Sequence, residues 1–215
     1  MRGARRRCDG GSRRPDLTPV LRRAFDIAVS GAALLVTAPI VLAAIVAIRL
    51  ESRGHPIYRQ RRIGRDGQPF DVMKLRTMVD GAELMGAGLA VDEGDSRITK
   101  VGDFLRRTSI DELPNLVNVL RGEMAIIGPR PTVPVQVEQY TDRQRGRLAI
   151  RPGITGWAQV NGRATLPWAE RIELDLWYIE HRSLKLDATI LWRTVRMVFG
   201  GEGLYRGETG GWKEP

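Results

Sequence analysis

A run of 22 residues without a charged side chain, Ile27–Ile48, limits most strongly how this chain can fold. That length is sufficient for a helix to cross the hydrocarbon core of a bilayer. Pro39 lies near its middle, where it removes a backbone donor and crowds the preceding helical turn. Arginines flank the run on both sides, so the positive charge favours neither orientation. We therefore predict a membrane helix over residues 20–50 that breaks at Pro39 and re-enters, leaving both ends cytosolic; a spanning helix and a signal sequence are the alternatives.

The positive charge of the chain is concentrated before this apolar run. The formal net charge is +9; residues 1–23 carry +6, from eight arginines against two aspartates, and the rest of the chain carries +3. Such a basic tail is attracted to anionic lipids of the cytoplasmic leaflet, and it lacks the interleaved aromatics of nucleic-acid-binding segments. The single cysteine, Cys8, excludes a disulfide framework. We predict a basic, disordered tail over residues 1–19, no nucleic-acid partner, and a flexible tail over residues 201–215.

Residues 51–200 carry the signals of a small α+β domain with more helix than strand. Two strand-like runs joined by Gly64–Gly67 predict a short β-hairpin. Residues 80–97 predict a mobile loop or lid, and residues 151–163, with four glycine or proline positions, predict loop or turn. The last predicted helix has an apolar side that faces either the core or the membrane interface. The predicted strands are Ile57–Ile63, Phe70–Met78 and Ala125–Ile127, and the predicted helices are Lys100–Arg107, Asp111–Leu120, Val133–Leu148, Pro167–His181 and Leu186–Phe199.

Two adjacent carboxylates, Asp111 and Glu112, permit two interpretations. Ser109 and Glu112 have the spacing of a capping box that would open a helix at Asp111, and acidic side chains there oppose the helix dipole. The other interpretation is catalytic, because an ionised carboxylate can attack phosphorus or hold a metal ion. The two are compatible, and the residues alone leave both open.

Basic residues around this pair in the sequence suit a phosphorylated substrate. Several negative charges brought together need cations to stabilise them, and an arginine can bind two phosphate oxygens at once. The backbone at Arg130 is constrained by a proline on each side, although an ordinary loop salt bridge would also explain this arginine. The candidate substrate contacts are Lys74, Arg76, Arg106, Pro129, Arg130 and Pro131.

Five motifs, in order, resemble those of the bacterial sugar transferase family, which includes the monotopic phosphoglycosyl transferases. They read RQRRIG from Arg59, FDVMKLRTM from Phe70, LRRTSIDELPNLVN from Leu105, GPRP from Gly128 and RPGITGWAQVNGR from Arg151. Together they extend the resemblance over nearly the whole chain.

The resemblance implies a specific reaction and assigns residues to it. A nucleoside-diphosphate sugar, usually a UDP-sugar, gives its sugar 1-phosphate to polyprenol phosphate and releases the nucleoside monophosphate. Asp111 is then the expected nucleophile, which forms a covalent phosphosugar intermediate and binds Mg²⁺, with Glu112 as its neighbour in the dyad. Arg151 and Asn161, in the last motif, are expected substrate contacts. The family's re-entrant helix is broken at a proline that matches Pro39.

The resemblance also implies a place and a role. The protein is expected in the bacterial cytoplasmic membrane with its catalytic domain on the cytosolic face, starting exopolysaccharide, capsule, O-antigen or glycoprotein glycan assembly. A mechanistic alternative makes Asp111 only a metal ligand while lipid phosphate attacks the donor directly. An alternative of another class is a membrane-docked scaffold without catalysis. A homodimer is compatible with the sequence, which does not identify the sugar.

Overall fold

A computed structural model describes residues 18–85, 94–162 and 165–200. Helices surround two small sheets there, which confirms the predicted helix-rich α+β class. Three predicted segments lie wholly or partly outside the described residues: the tail over residues 201–215, residues 1–17 of the basic tail, and the middle of the predicted lid. The helices are α1 (Thr18–Glu51), α2 (Lys100–Arg107), α3 (Asn115–Arg121), α4 (Pro134–Glu138), α5 (Asp142–Arg145), α6 (Trp157–Val160), α7 (Trp168–Glu180) and α8 (Leu184–Gly200), and the strands are β1 (Ile57–Ile63), β2 (Pro69–Leu75), β3 (Ala125–Ile127) and β4 (Gly153–Thr155).

Helix α1 is, among the described residues, the one helix long and apolar enough to cross a membrane. It continues as helix through Pro39, so the predicted break is not present as an interruption of secondary structure. Thr37 Oγ1 donates to Ala33 O at 2.7 Å, whereas the carbonyl that a proline at this position deprives of its donor is that of Leu35. Leu35 and Val36 are 80% and 74% exposed, an apolar surface suited to lipid. The re-entrant path stays a prediction.

The first turns of α1 are fixed to the rest of the domain by polar contacts. The Arg23 guanidinium donates to Val119 O at 2.6 Å and to Leu120 O at 2.9 Å, and so satisfies carbonyls at the end of α3. Asp26, only 5% exposed, accepts a hydrogen bond of 3.0 Å from the Ile126 backbone N–H. The first turns of the apolar helix are therefore packed as part of the same domain as α3 and β3.

The predicted hairpin is confirmed, although its second strand ends at Leu75 and not at Met78. Strands β1 and β2 pair antiparallel, with Ile57 opposite Leu75 and Ile63 opposite Pro69. The connection contains a single 3₁₀ turn, Arg65–Gly67. This pairing matters for the site because Tyr58 lies opposite Lys74, so β1 contributes side chains next to that lysine.

A second sheet lies in a segment predicted to be loop. Strand β4 pairs in parallel with β3, so the prediction for residues 151–163 is wrong over β4 and over the short helix α6. Close backbone approach explains the glycines: a Cβ on Gly153 would lie 2.1 Å from Gly128 N, and one on Gly156 would lie 2.1 Å from Gly128 O. The glycines thus mark tight packing beside the GPRP motif rather than chain disorder.

One further helix prediction is wrong, and another is confirmed while the surroundings of its apolar side are only partly settled. The helix predicted over Val133–Leu148 is two short helices, α4 and α5, because Thr141 and Gln144 form a capping box that starts a new helix. Helix α8 is present as predicted; it buries Ile190 completely while Trp192 stays 59% exposed. One side of α8 therefore faces the core, and an interfacial position for the other side stays a prediction.

Candidate active site

A cavity of about 510 Å³ contains both carboxylates of the Asp-Glu pair. Its walls come from β1 and β2, the end of α2, the segment after β3, and α7. Segments distant in the sequence thus converge on one cavity. Of the predicted site residues, it is lined by Lys74, Arg76, Arg106, Asp111, Glu112, Arg130 and Pro131.

The backbone before Asp111 has an unusual conformation that differs from the predicted cap. Ser109 has φ 56° and ψ 18°, the left-handed region, and its side chain caps nothing. A 3₁₀ turn, Ile110–Glu112, follows, and α3 begins only at Asn115. The predicted capping box and the helix start at Asp111 are therefore wrong. The physical reason is that the Glu112 carboxylate binds two cations, which are stronger partners than a backbone N–H.

Glu112 is the centre of a charged clamp. Its Oε1 atom accepts from Lys74 Nζ at 2.7 Å and from Arg130 Nη2 at 2.9 Å. Burial alone would raise the pKa of this carboxyl, but Arg130 and Lys74 outweigh burial and hold its pKa well below the usual range. Burial lowers the pKa of the Lys74 ammonium, although Glu112 opposes that effect. Glu112 is therefore a fixed anion that orients the two cations.

The Asp111 carboxylate, unlike that of Glu112, has no direct partner in the described part of the chain and a raised pKa. No donor among the described residues hydrogen-bonds its carboxylate, and burial, reinforced by the charge of Glu112, raises its pKa to about 6 even though Lys74, Arg106 and Arg130 lower it. At neutral pH this carboxylate is mostly ionised, in the field of three cations that it does not bind directly. A carboxylate oxygen without a hydrogen-bond donor is available as a nucleophile or as a metal ligand.

The segment that carries Arg130 is supported from behind by a buried arginine that the sequence did not single out. Arg147 pairs with Asp175 at 2.7 Å, and their side chains are 3% and 1% exposed. The same guanidinium donates to Arg130 O at 3.0 Å and to Thr132 Oγ1 at 2.5 Å. This network holds the backbone of the Pro-Arg-Pro motif and so sets the direction of the Arg130 side chain.

Two predicted phosphate contacts have different surroundings. The Arg76 side chain is 7% exposed and donates to the carbonyls of Ser52 and Arg53, which ties β2 to the end of α1. Arg106 reaches Thr77 Oγ1 only at 3.5 Å, so most of its donors remain available to an anion. We assign Arg76 a supporting position and retain Arg106 as a substrate contact.

Three predicted contacts do not line the described cavity. Pro129 is buried in the segment beside it. Arg151 lies near Arg23 and Asp26, whose charges act on it. Asn161 donates to Trp157 O at 2.7 Å and accepts from Arg193 at 2.8 Å. Arg151 and Asn161 of the last motif therefore lie outside the described cavity, and their role as substrate contacts stays a prediction.

The comparisons with known proteins identify the family. The model of the bacterial sugar transferase family matches residues 17–201. The chain is 42% identical over 185 residues to an uncharacterized sugar transferase, EpsL, of Bacillus subtilis, covering 86% of this chain and 90% of that protein. The chain belongs to the bacterial sugar transferase family. The predicted family, and with it an enzyme of the transferase class, is confirmed.

Two further relatives of this sugar transferase carry more specific names. One is the UDP-glucose:undecaprenyl-phosphate glucose-1-phosphate transferase of Escherichia coli, 42% identical over 197 residues, covering 86% of this chain and 42% of that protein. The other is the exopolysaccharide production protein ExoY of Rhizobium meliloti, 35% identical over 198 residues, covering 86% of this chain and 88% of that protein. The chain therefore spans less than half of the first relative and most of the second.

The transferase cavity also contains residues that sequence reasoning missed. Arg62 lies in the first motif. Alternation along β1 places its side chain on the same face as that of Tyr58, the residue that pairs with Lys74. It donates to Pro131 O at 3.1 Å, and burial lowers its pKa to about 10. The period of two along a predicted hairpin strand was the signal that could have identified it. Gln159, Trp168, Arg171 and Asp175 line the far side of the cavity.

The donor set of the transferase fits Mg²⁺ only together with a substrate. No cluster of three or more His, Cys, Asp or Glu side chains is present in the described part of the chain. Glu112 is occupied by two cations, which leaves Asp111 as the available carboxylate of the Asp-Glu pair. One carboxylate plus substrate phosphates is a common Mg²⁺ environment, because this ion keeps several waters and is seldom enclosed by protein ligands alone.

Proposed function

We propose that the protein transfers a sugar 1-phosphate from a UDP-sugar to undecaprenyl phosphate. The observation that carries the proposal is the unpaired Asp111 carboxylate, close to three cations in a cavity beside an apolar helix. The Escherichia coli relative, by its name, uses UDP-glucose and undecaprenyl phosphate. The ExoY name of another relative supports a role in exopolysaccharide production.

The first half-reaction is an attack of Asp111 on the donor. One carboxylate oxygen forms a bond to the sugar-linked phosphorus while the bond from that phosphorus to the bridging oxygen breaks. The leaving group is UMP, and the product on the enzyme is an acyl phosphate that carries the sugar. Lys74, Arg106 and Arg130 stabilise the charge that accumulates on the phosphoryl oxygens. No proton needs to be added or removed in this step.

The second half-reaction restores the enzyme. An oxygen of undecaprenyl phosphate attacks the same phosphorus, and the bond to Asp111 breaks, which regenerates the carboxylate and yields the undecaprenyl diphosphate sugar. A covalent intermediate allows a water-soluble donor and a membrane-bound acceptor to use one site in turn. This order also avoids bringing the diphosphate and the lipid phosphate into the cavity together.

Mg²⁺ is part of the proposal. Asp111 and the donor diphosphate would hold it, and bound there it would neutralise phosphate charge. Glu112 contributes indirectly, because it fixes Lys74 and Arg130 at the positions where the diphosphate needs them.

The proposed location is the bacterial cytoplasmic membrane, with the catalytic domain on the cytosolic face. Helix α1 supplies the apolar surface, and the basic N-terminal segment is attracted to anionic headgroups. Because the first turns of α1 are bound to β3 and α3, the catalytic cavity is held close to the membrane surface.

The reaction class is tested by identifying the released nucleotide. The detergent-solubilised full chain is incubated with Mg²⁺, undecaprenyl phosphate and each of a panel of UDP-sugars. We expect UMP with a subset of donors, and none with Asp111→Asn, whose side chain has the same shape but no negative charge. Release of UDP would mean that the sugar moves without its phosphate, and would refute the proposal. No turnover with any donor would support a scaffold instead.

A further inference from the structure

A second cavity lies directly beside the Asp-Glu pair, and it differs from the first in chemistry. This apolar groove has a volume of about 570 Å³ and runs between α1 and α2. Ile40, Ala44 and Ala47 of α1 form one wall, and Phe104 of α2 and Ile110 form part of the other. Lys100 is the one charged side chain among the described lining residues.

The position of the groove links the membrane helix to the nucleophile. Ile110 of the groove immediately precedes Asp111 of the catalytic cavity, so the groove and the cavity border the same short chain segment. At the other wall, the eight residues from Ile40 to Ala47 extend about 10 Å along the axis of α1. A single ligand lying in the groove could therefore have an apolar part along α1 and a charged end at Asp111.

The exposure of the lining residues shows which medium the groove faces. Phe104 is 59% exposed and Ile40 is 48% exposed, and both are large apolar side chains. They border the exposed apolar surface of α1, which is suited to contact with lipid. The mouth of the groove thus faces the same medium as the exposed apolar side of α1, while Ile110 at its other wall lies next to Asp111 of the cation-rich cavity.

We infer that this groove binds the proximal isoprene units of the polyprenol phosphate acceptor and delivers its phosphate to Asp111. The inference rests on the proposed function and adds a site for the lipid chain. A branched apolar chain with one anionic end matches apolar walls that lie beside a cavity lined by cations. An ordinary phospholipid chain or a second copy of the protein matches the apolar walls but gives no reason for the connection to the nucleophile.

The first test narrows the groove with Ala43→Phe, because Ala43 is an exposed lining residue. The matched control is Ala32→Phe, an exposed alanine of the same helix outside the groove lining. In nanodiscs, we expect Ala43→Phe to raise the KM for undecaprenyl phosphate about tenfold, equivalent to about 1.4 kcal/mol of lost binding. The covalent adduct should still form from donor alone, and the control should behave as wild type. Wild-type KM values in both variants would overturn the groove assignment alone.

The second test requires no mutation and also distinguishes the occupants. Wild-type protein is photolabelled with a polyprenol phosphate that carries a diazirine on its proximal isoprene units, and the labelled peptides are mapped. We expect labels on residues 40–47 and 101–110. An excess of undecaprenyl phosphate should prevent this labelling, and an excess of phosphatidylglycerol should not. Labels outside these residues, or equal competition by phosphatidylglycerol, would overturn the inference. It would also be overturned if the groove residues were protected from labelling only when the protein forms a dimer. If wild type forms neither adduct nor product with any donor, the proposed function itself has failed.

Discussion

Loss of the Asp175 carboxylate should have a large effect on both stability and donor binding. Its side chain is 1% exposed and pairs at 2.7 Å with Arg147, which is 3% exposed. Removing one partner leaves a buried charge without compensation, which costs about 3–5 kcal/mol. Arg147 keeps acceptors at Thr132, Tyr140 and Arg130 O, so the lower end of that range is expected. For a domain of this size, ~3 kcal/mol corresponds to a decrease in Tm of about 6–12 °C.

The assay compares Asp175→Ala with a control on the same helix. Glu173→Ala removes the carboxylate of an exposed pair with Arg143, whose side chains are 54% and 64% exposed, and exposed pairs contribute little to stability. Thermal unfolding in one detergent gives Tm, and steady-state kinetics give the KM for the UDP-sugar. We expect Asp175→Ala to lower Tm and raise the donor KM, because Arg147 also holds the Arg130 carbonyl. Equal effects of the two substitutions would refute the supporting role of the buried network.

Acidification should inactivate the first half-reaction near pH 6, because burial raises the pKa of Asp111 to about 6. Below that pH, the rate of adduct formation from donor alone should fall about tenfold per pH unit. A fall in rate that begins only near the ordinary carboxyl pKa of about 4 would contradict the assignment. The same raised pKa makes the ionised carboxylate unfavourable in the folded state at neutral pH, so Asp111→Asn should raise Tm at pH 7.5 and lose this advantage below about pH 4; an unchanged Tm at pH 7.5 would count against burial of the charge. Glu112→Gln weakens the anchor of Lys74 and Arg130 and should raise the donor KM by about 10- to 100-fold, since hydrogen bonds to charged groups contribute about 1.5–3 kcal/mol; a donor KM like that of wild type would exclude the clamp. Tags fused at residues 1 and 215 should both be accessible from the cytosolic face, and accessibility from opposite faces would rule out re-entry.

Local sequence signals located several elements correctly. Helix α2 and strand β3 have the predicted bounds, and the hairpin formed where two strand-like runs flank Gly64–Gly67. These elements depend on contacts close in sequence, such as turn residues and alternating apolar positions, which a single sequence displays. The Asp-Glu pair and Arg130 could be singled out because their motifs are compact, and they line the same cavity.

Partners far apart in sequence could not be inferred from local pattern. The clamp joins Lys74, Glu112 and Arg130 from three separate segments, and no local signal indicates that one carboxylate binds both cations. Arg147 and Asp175 look like ordinary surface charges in the sequence because burial is a property of the fold. For the same reason Arg76 and Arg106 were equivalent candidates in the sequence. In the structure, Arg76 donates hydrogen bonds to backbone carbonyls, whereas most of the Arg106 donors stay available.

The capping interpretation of the Asp-Glu pair was wrong for an electrostatic reason. Ser109 and Glu112 have suitable identities and spacing, but Glu112 is drawn to two cations and Ser109 takes a left-handed conformation. A local rule fails here at the residues that face the catalytic cavity, as is common at functional sites, where local strain is maintained by surrounding structure.

The central claim is that Asp111 itself carries the phosphosugar. Wild-type protein is incubated with Mg²⁺ and its UDP-sugar without any lipid acceptor, quenched in acid, and examined by intact-mass and peptide mass spectrometry. The account predicts a mass increase equal to one phosphosugar, located on the peptide that contains Asp111, stoichiometric with UMP and removed by undecaprenyl phosphate. A turnover-competent enzyme that gives no adduct and releases no UMP until lipid is added would contradict it, and would leave direct attack by lipid phosphate as the mechanism.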